Sequence, residues 1–159
     1  TALHLSVISR SPDILKILLE VGCEPNVTGR DGIMPVHLCY NDEDQDMLRV
    51  LIEHGASTVA QDEDMETIWH ICAKWDSAEV LRALIEVDQD RDIALRLESS
   101  EYGSLFHLAA CWGSTRALDS ILTIGADIEQ EFGEHGTALM VSATNGQLDA
   151  VKYLVRKGA

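Results

Sequence analysis

The chain has 159 residues, 46% apolar and 25% charged, with 27 acidic against 12 basic side chains and a formal net charge of −15. This length suits one domain with a core of ordinary size. So acidic a balance argues against nucleic acid or an anionic membrane surface as partner, since both need Lys and Arg to displace counterions, and it favours a basic partner surface.

In chain order, TALHLSV at residue 1 is followed by a second apolar stretch, ILKILLEVGC, that closes on Gly22. The pair recurs: MPVHLCY at 34 with MLRVLIEHGA, TIWHICA at 67 with VLRALIEVDQ, SLFHLAA at 104 with LDSILTIGAD, and TALMVSA at 137 with AVKYLVRKGA. The steps are 33, 33, 37 and 33 residues. Gly22, Gly55, Gly125 and Gly158 occupy one position just after the second stretch, with Asp88 in their place in the third unit. Glycine there ends a helix, because it turns left-handed without a Cβ clash.

Each unit therefore predicts two short helices. The first is small and apolar over most of its surface. The second is amphipathic, as where Leu118, Ile121 and Leu122 share a face and Asp119 turns out. Neither helix can bury its apolar side alone, so stacked units share one elongated core. The four extra residues of the long step lie in VDQDRDIALRLESSEYG, residues 87–103, and predict an extended second helix or a longer connector.

The 33-residue step, the TPLH-like openings and the closing Gly-Ala resemble the ankyrin repeat. The closest matches to T-P-L-H are Thr1-Ala2-Leu3-His4, Met34-Pro35-Val36-His37, Thr67-Ile68-Trp69-His70 and Ser104-Leu105-Phe106-His107, while Thr137-Ala138-Leu139-Met140 has lost the His. The resemblance implies an all-α solenoid of stacked helix-turn-helix units with β-turn fingers, forming one domain over 1–159. The units fall at about 1–28 (partial), 29–61, 62–98, 99–131 and 132–159 (partial). The chain begins at Thr1 and breaks off within units at both ends, so an excerpt of a longer array is expected.

His37 with Cys39, and His70 with Cys72, suggest two arms of a metal site. Residues two apart on a helix point about 200° away from each other, so neither pair grips one ion. The repeat spacing explains the pattern, and the resemblance makes the histidines structural. Cys39 and Cys72 share their position with Ser6, Ala109 and Ser142, a slot for small residues. The acids of DQDRD, residues 88–92, lack the Gly and Glu that a calcium loop needs, as Ile93 and Ser99 stand there. Cys111 and His107 share a helix face without a third catalytic group, and no phosphate loop or nucleophile elbow is present. No enzyme, cofactor or metal is therefore expected. Asn26 falls where some family members are hydroxylated, and a structural role bracing the turn is expected instead. Four Cys without a dense framework suit a reducing, intracellular setting, cytoplasmic or nuclear.

Members of the family mostly bind proteins through the finger tips and the concave side of the first helices. Carried over, those helix positions are Ile8 and Ser9, Asn41 and Asp42, Lys74 and Trp75, Cys111 and Trp112, and Thr144 and Asn145. Trp75 and Trp112 recur in consecutive units as a possible hot-spot pair, whereas Trp69 and Phe106 replace the Leu of TPLH and belong to the core. The finger tips carry Arg30 and Asp31, then Asp62, Glu63, Asp64 and Glu66, then Glu98 and Glu101, then Glu131 and Glu134 beside Phe132. The acidic row with the indoles behind it implies a protein segment with basic and apolar residues. A solvated rim that only keeps the protein soluble is the alternative. NDEDQD, residues 41–46, reads either as a solvated turn before the second helix or as a contact for partner Lys and Arg. The function expected is a non-catalytic interaction module. The second reading is a regulatory array packed on another domain of its own longer chain, since EYGSLFHLAA and EHGTALMVSA resemble repeats of long fungal ankyrin proteins.

Overall fold

The computed structural model describes residues 1–87, 91–96, 98–99 and 103–159. The layers follow the repeat. The first holds α1 (Ala2–Ile8) and α2 (Pro12–Glu20), and the second a 3₁₀ turn at Pro35–Leu38 and α3 (Gln45–Glu53). The third holds α4 (Ile68–Lys74) and α5 (Ala78–Val87), with a short α6 (Arg91–Ala94) behind it. The fourth holds α7 (Leu105–Trp112) and α8 (Thr115–Thr123), and the fifth α9 (Ala138–Thr144) and α10 (Leu148–Lys157). Antiparallel fingers precede the last two layers: β1 (Glu98–Ser99) pairs with β2 (Gly103–Ser104), and β3 (Glu131–Phe132) with β4 (Gly136–Thr137). First helices stack in one row, α4 on α7 on α9, and second helices in another, α2 on α3 on α5 on α8.

Local chemistry sets the helix ends. Thr1, Ser104 and Thr137 cap their helices by accepting the N–H of His4, His107 and Met140, which satisfies amides left without a partner in the first turn. Pro12 stands in the first turn of α2, where its missing N–H costs nothing. Gly22, Gly55, Gly125 and Gly158 take φ of +90°, +87°, +97° and +103° at the exits of the second helices. Leu15, Leu48, Leu81 and Leu118 occupy one repeat position and are fully buried, forming a spine through four layers. Trp69 and Phe106 lie in this core as the sequence implies.

The second layer departs from the expected first α-helix. Only the 3₁₀ turn forms, and Cys39 ends it at φ −88°, ψ 56°. The cause is local: the Asp44 carboxylate accepts the Asn41 N–H at 3.0 Å and the Asp44 N–H donates to the Asn41 carbonyl at 2.8 Å. Such side-chain bonds compete with helix propagation. The turns of the first and third layers have no glycine but keep the left-handed shape of Gly113 and Gly146, with Arg10 at φ +50° and Asp76 at φ +56°. In the long step the described residues hold α5 through Val87 and α6, whose last residue, Ala94, is buried. Asp88 and the first part of DQDRD lie outside the described residues.

Candidate partner-binding face

His4, His37 and His107 stitch their layers to the fingers that follow. His107 Nδ1 accepts the Ser104 hydroxyl at 2.6 Å and Nε2 donates to the Gly136 carbonyl at 3.0 Å. His4 is held the same way between Thr1 and the Ile33 carbonyl. His37 Nδ1 accepts the Met34 N–H, and its Nε2 donates to the Ala60 carbonyl at 3.0 Å. A carbonyl can only accept, so Nε2 carries a proton in each ring, and the His37 Nδ1 that accepts the Met34 N–H carries none. Burial lowers the pKa of His37 and His107 below 6.5, against the partly opposing pull of those carbonyls. With both ring nitrogens of His37 engaged and the Cys39 Sγ turned to the Pro35 carbonyl, the two do not converge. Among the described residues no group of three His, Cys, Asp or Glu is placed to hold a metal ion. Burial also pushes the Cys39 and Cys72 thiols up, far from thiolate character.

The carried-over positions form an edge where the first helices turn into the second. Trp75 caps α4 and is 61% exposed, and Trp112 ends α7 and is 46% exposed. Each indole is braced on one side. The Trp75 ring stacks on Tyr40, with centroids 5.9 Å apart and planes at 28°. Lys74 Nζ lies 5.1 Å from the centre of the Trp112 ring, a cation–π geometry. Lys74 is itself ion-paired with Glu66 at 3.4 Å. Ile8, Ser9, Asn41, Thr144 and Asn145 are exposed along the same edge. Cys111 is not; it packs inside, and its carbonyl accepts the Gln147 amide at 2.9 Å.

A cleft of about 300 Å³ opens between the layers here, lined by Tyr40, Asn41, Asp42, Trp75, Asp76 and Arg116. Its acids serve the fold first. Asp42 Oδ1 accepts the Glu79 N–H at the start of α5, and Asp76 Oδ1 accepts the Ala117 N–H at the start of α8. Arg116 reaches Asp42 at 2.9 Å and Glu79 at 3.5 Å, and its hydrogen bond to Asp42 raises its pKa above the ordinary value. Tyr40, Asp76 and Arg116 were missed in the sequence. Tyr40 lies in the layer whose first helix does not form, which hid its register. Arg116 meets Asp42 only through packing across two layers, which no single unit shows.

The fingers are less uniform than their composition suggests. Glu66, expected at a tip, is buried at the foot of the second finger, directly before the cap of α4. Desolvation raises its pKa, and Lys74 opposes that shift. Asp62 is half-buried and folds the tip by accepting the N–H groups of Asp64 and Glu66. Glu63 and Asp64 are exposed, as are Glu98, Glu131 and Glu134, whereas Glu101 lies outside the described residues. Phe132 turns back from the fourth tip, stacks near His135, and covers Gly103, where any Cβ would overlap its ring. Asn26 braces the first finger against the second layer, donating to the Gly55 carbonyl and accepting the Ser57 N–H. The four cysteines form no disulfide. Among the described residues no helix is long and apolar enough to cross a membrane.

The family profile described as ankyrin repeats (3 copies) matches residues 3–97, and that of the single ankyrin repeat matches residues 135–159. The fourth layer, between the two matched stretches, has the same architecture. A search among curated proteins finds no match to the chain. Ankyrin repeats generally mediate protein–protein contacts and generally lack catalysis of their own. Layer architecture, histidine stitching and profile match agree, and the chain belongs to the ankyrin repeat family.

Proposed function

We propose that the chain binds a protein partner through the edge of its first helices, with Trp75 and Trp112 at the centre and Lys74, Asn41, Asp42 and Asn145 around them. The exposed finger acids Glu63, Asp64 and Glu134, with the half-buried Asp62 beside them, add a second line of contact for basic groups. Glu66 supports Lys74 from within instead of touching the partner. Binding is by surface complementarity, without chemistry, and the thiols without disulfides fit a reducing intracellular setting. The observation that carries this reading is the recurrence of two exposed indoles in consecutive layers, each braced by a neighbour. Rigid, partly exposed aromatic rings concentrate binding energy when a partner desolvates them.

The test is capture from lysate by the chain and by its Trp75→Ala/Trp112→Ala variant, after circular dichroism shows both folded. A partner held by the first and lost by the second is expected. Equal capture by both removes the indoles from the site.

A second reading, packing against another domain of its own chain, draws support from the first layer. Ile14 and Ile17 are more than half exposed there, whereas Met47 and Ala83 at the same repeat positions are buried. Binding that disappears on Ile14→Ser/Ile17→Ser but survives loss of the indoles would favour it.

A further inference from the structure

We infer that the aromatic edge recognises a proline-rich segment in the polyproline II conformation, carrying one basic residue and lying across the second, third and fourth layers. This rests on the edge-binding reading above and names the conformation and chemistry of the partner.

The first argument is spacing. Helices α4 and α7 pack directly on each other, and packed helices lie about 8–10 Å apart. Trp75 and Trp112 hold equivalent places at the ends of those two helices, so the indoles recur at about that interval. A polyproline II helix has three residues per turn and rises about 3.1 Å per residue, so every third side chain returns to one face after about 9 Å. A β-strand returns to one face after about 7 Å and falls out of step. An α-helix returns a side chain to one face after a turn of about 5.4 Å and also falls out of step.

The second argument is polarity. Among the described residues, the indole N–H groups of Trp75 and Trp112 and the Tyr40 hydroxyl make no hydrogen bond within the protein. The edge thus offers donors. A proline-rich backbone in this conformation has no internal hydrogen bonds and lacks N–H at each proline, so it offers carbonyl acceptors. Proline rings stack on flat aromatic faces, and the stiff segment loses little entropy on docking. The receiving surface is also fixed in advance, with Tyr40 behind Trp75, and Lys74 held between Glu66 and Trp112.

The third argument is charge. One layer before Trp75, the half-buried carboxylate of Asp42 lines the cleft and the exposed carboxylate of Glu43 follows it in the chain, in a protein of net charge −15. Their pairs with Arg10 and Arg116 are largely open to solvent, and such pairs yield easily to another cation. A Lys or Arg three residues from the first proline falls one layer away, beside these acids. The geometry therefore reads a basic residue and two prolines at three-residue intervals.

The probe is a synthetic 12-residue peptide with one arginine and two prolines at that spacing, beside a second peptide with both prolines changed to alanine. Binding to the 159-residue chain is followed by calorimetry and by the fluorescence of the exposed indoles. The proline peptide is expected to bind at least about tenfold tighter than the alanine peptide, and Trp75→Ala or Trp112→Ala to weaken it by at least about tenfold. Trp75→Phe keeps a flat face and is expected to lose less than Trp75→Ala. Glu20→Gln, exposed at the end of α2 and away from the edge, is expected to change little. Equal binding of the two peptides overturns the inference in favour of plain charge recognition. Absence of binding by either peptide, while the double indole variant still loses a captured partner, overturns the inference and leaves the edge-binding reading intact. A double indole variant that keeps its captured partner overturns both.

Discussion

Arg116 Nη2 lies 2.9 Å from Asp42 Oδ2, although the two residues are 74 positions and two layers apart. Repeat arrays are ordinarily held by contacts between adjacent units alone; here one guanidinium also ties the second layer to the fourth. Both side chains are substantially exposed, which limits the strength of the pair to below about 1 kcal/mol and makes it salt-sensitive. Asp42→Asn keeps the bond to the Glu79 N–H and removes the charge, so a loss of under about 1 kcal/mol is expected. Asp42→Ala also removes a helix cap, and a loss of about 1–2 kcal/mol is expected. Urea titrations of both variants in low and high salt separate the two effects. The Asn variant alone should lose its deficit at high salt.

Met65 offers a gain. It sits in the second finger at φ +60°, the place that Gly32 fills at φ +71° in the first. A side chain in left-handed backbone costs about 1–2 kcal/mol, offset in part because glycine loosens the unfolded chain. The Met65 side chain is exposed, and its N–H bond to the Asp62 carbonyl is made by the backbone. Met65→Gly is therefore expected to raise stability by about 0.5–1 kcal/mol, read as a higher thermal midpoint. An unchanged or lower midpoint would show that the left-handed turn carries no strain to release.

Trp69 fills the core but pays a polar penalty: its indole Nε1 is buried without a hydrogen-bond partner among the described residues. An orphaned donor costs about 1–3 kcal/mol. Trp69→Phe removes it together with some volume, so a net change within about 1 kcal/mol is expected, against a loss of about 3–5 kcal/mol for Trp69→Ala. Denaturant midpoints of the two variants give the comparison. A Phe variant as damaged as the Ala variant would show that the indole donor has a partner in solution.

The buried histidines make stability depend on pH. His37 and His107 have folded pKa values below 6.5, so the unfolded chain binds more protons once pH drops under that value. Their contribution is full above 6.5 and is lost as pH falls from there through the lowered folded values. Glu66 acts in the opposite sense. Its pKa is raised from 4.5, so its contribution is present below 4.5 and lost as pH rises through the raised value. The urea midpoint is expected to fall between about pH 7 and about pH 5.5, and to fall more steeply in Glu66→Gln. A flat profile in both proteins would show that the histidines gain protons without loss of the carbonyl bonds.

The sequence made the layers legible because their cause is periodic: one apolar pattern and one closing glycine recur at a constant step. Leu118 follows from that pattern, and Trp69 and Phe106 from the Leu position of the TPLH motif. The second layer was not legible, since its outcome depends on the Asp44 side chain competing with the backbone, and composition does not say which prevails. Glu66 illustrates the same limit. As a fourth acid in a row it reads as surface, but its position next to Thr67 draws it inward against Lys74. The indoles could be placed by counting, whereas Tyr40 and Arg116 join them only through contacts across layers that no single unit contains.

The carboxylates of Asp42 and Asp76 separate the place where an amide sits from the place that protects it. The Glu79 and Ala117 amides belong to α5 and α8, but each is bonded to a turn of the preceding layer. In hydrogen exchange those two protons therefore report the opening of their predecessor. Each should exchange with the layer before it and not with the helix in which it resides, so two amides are enough to time the order in which the stack comes apart.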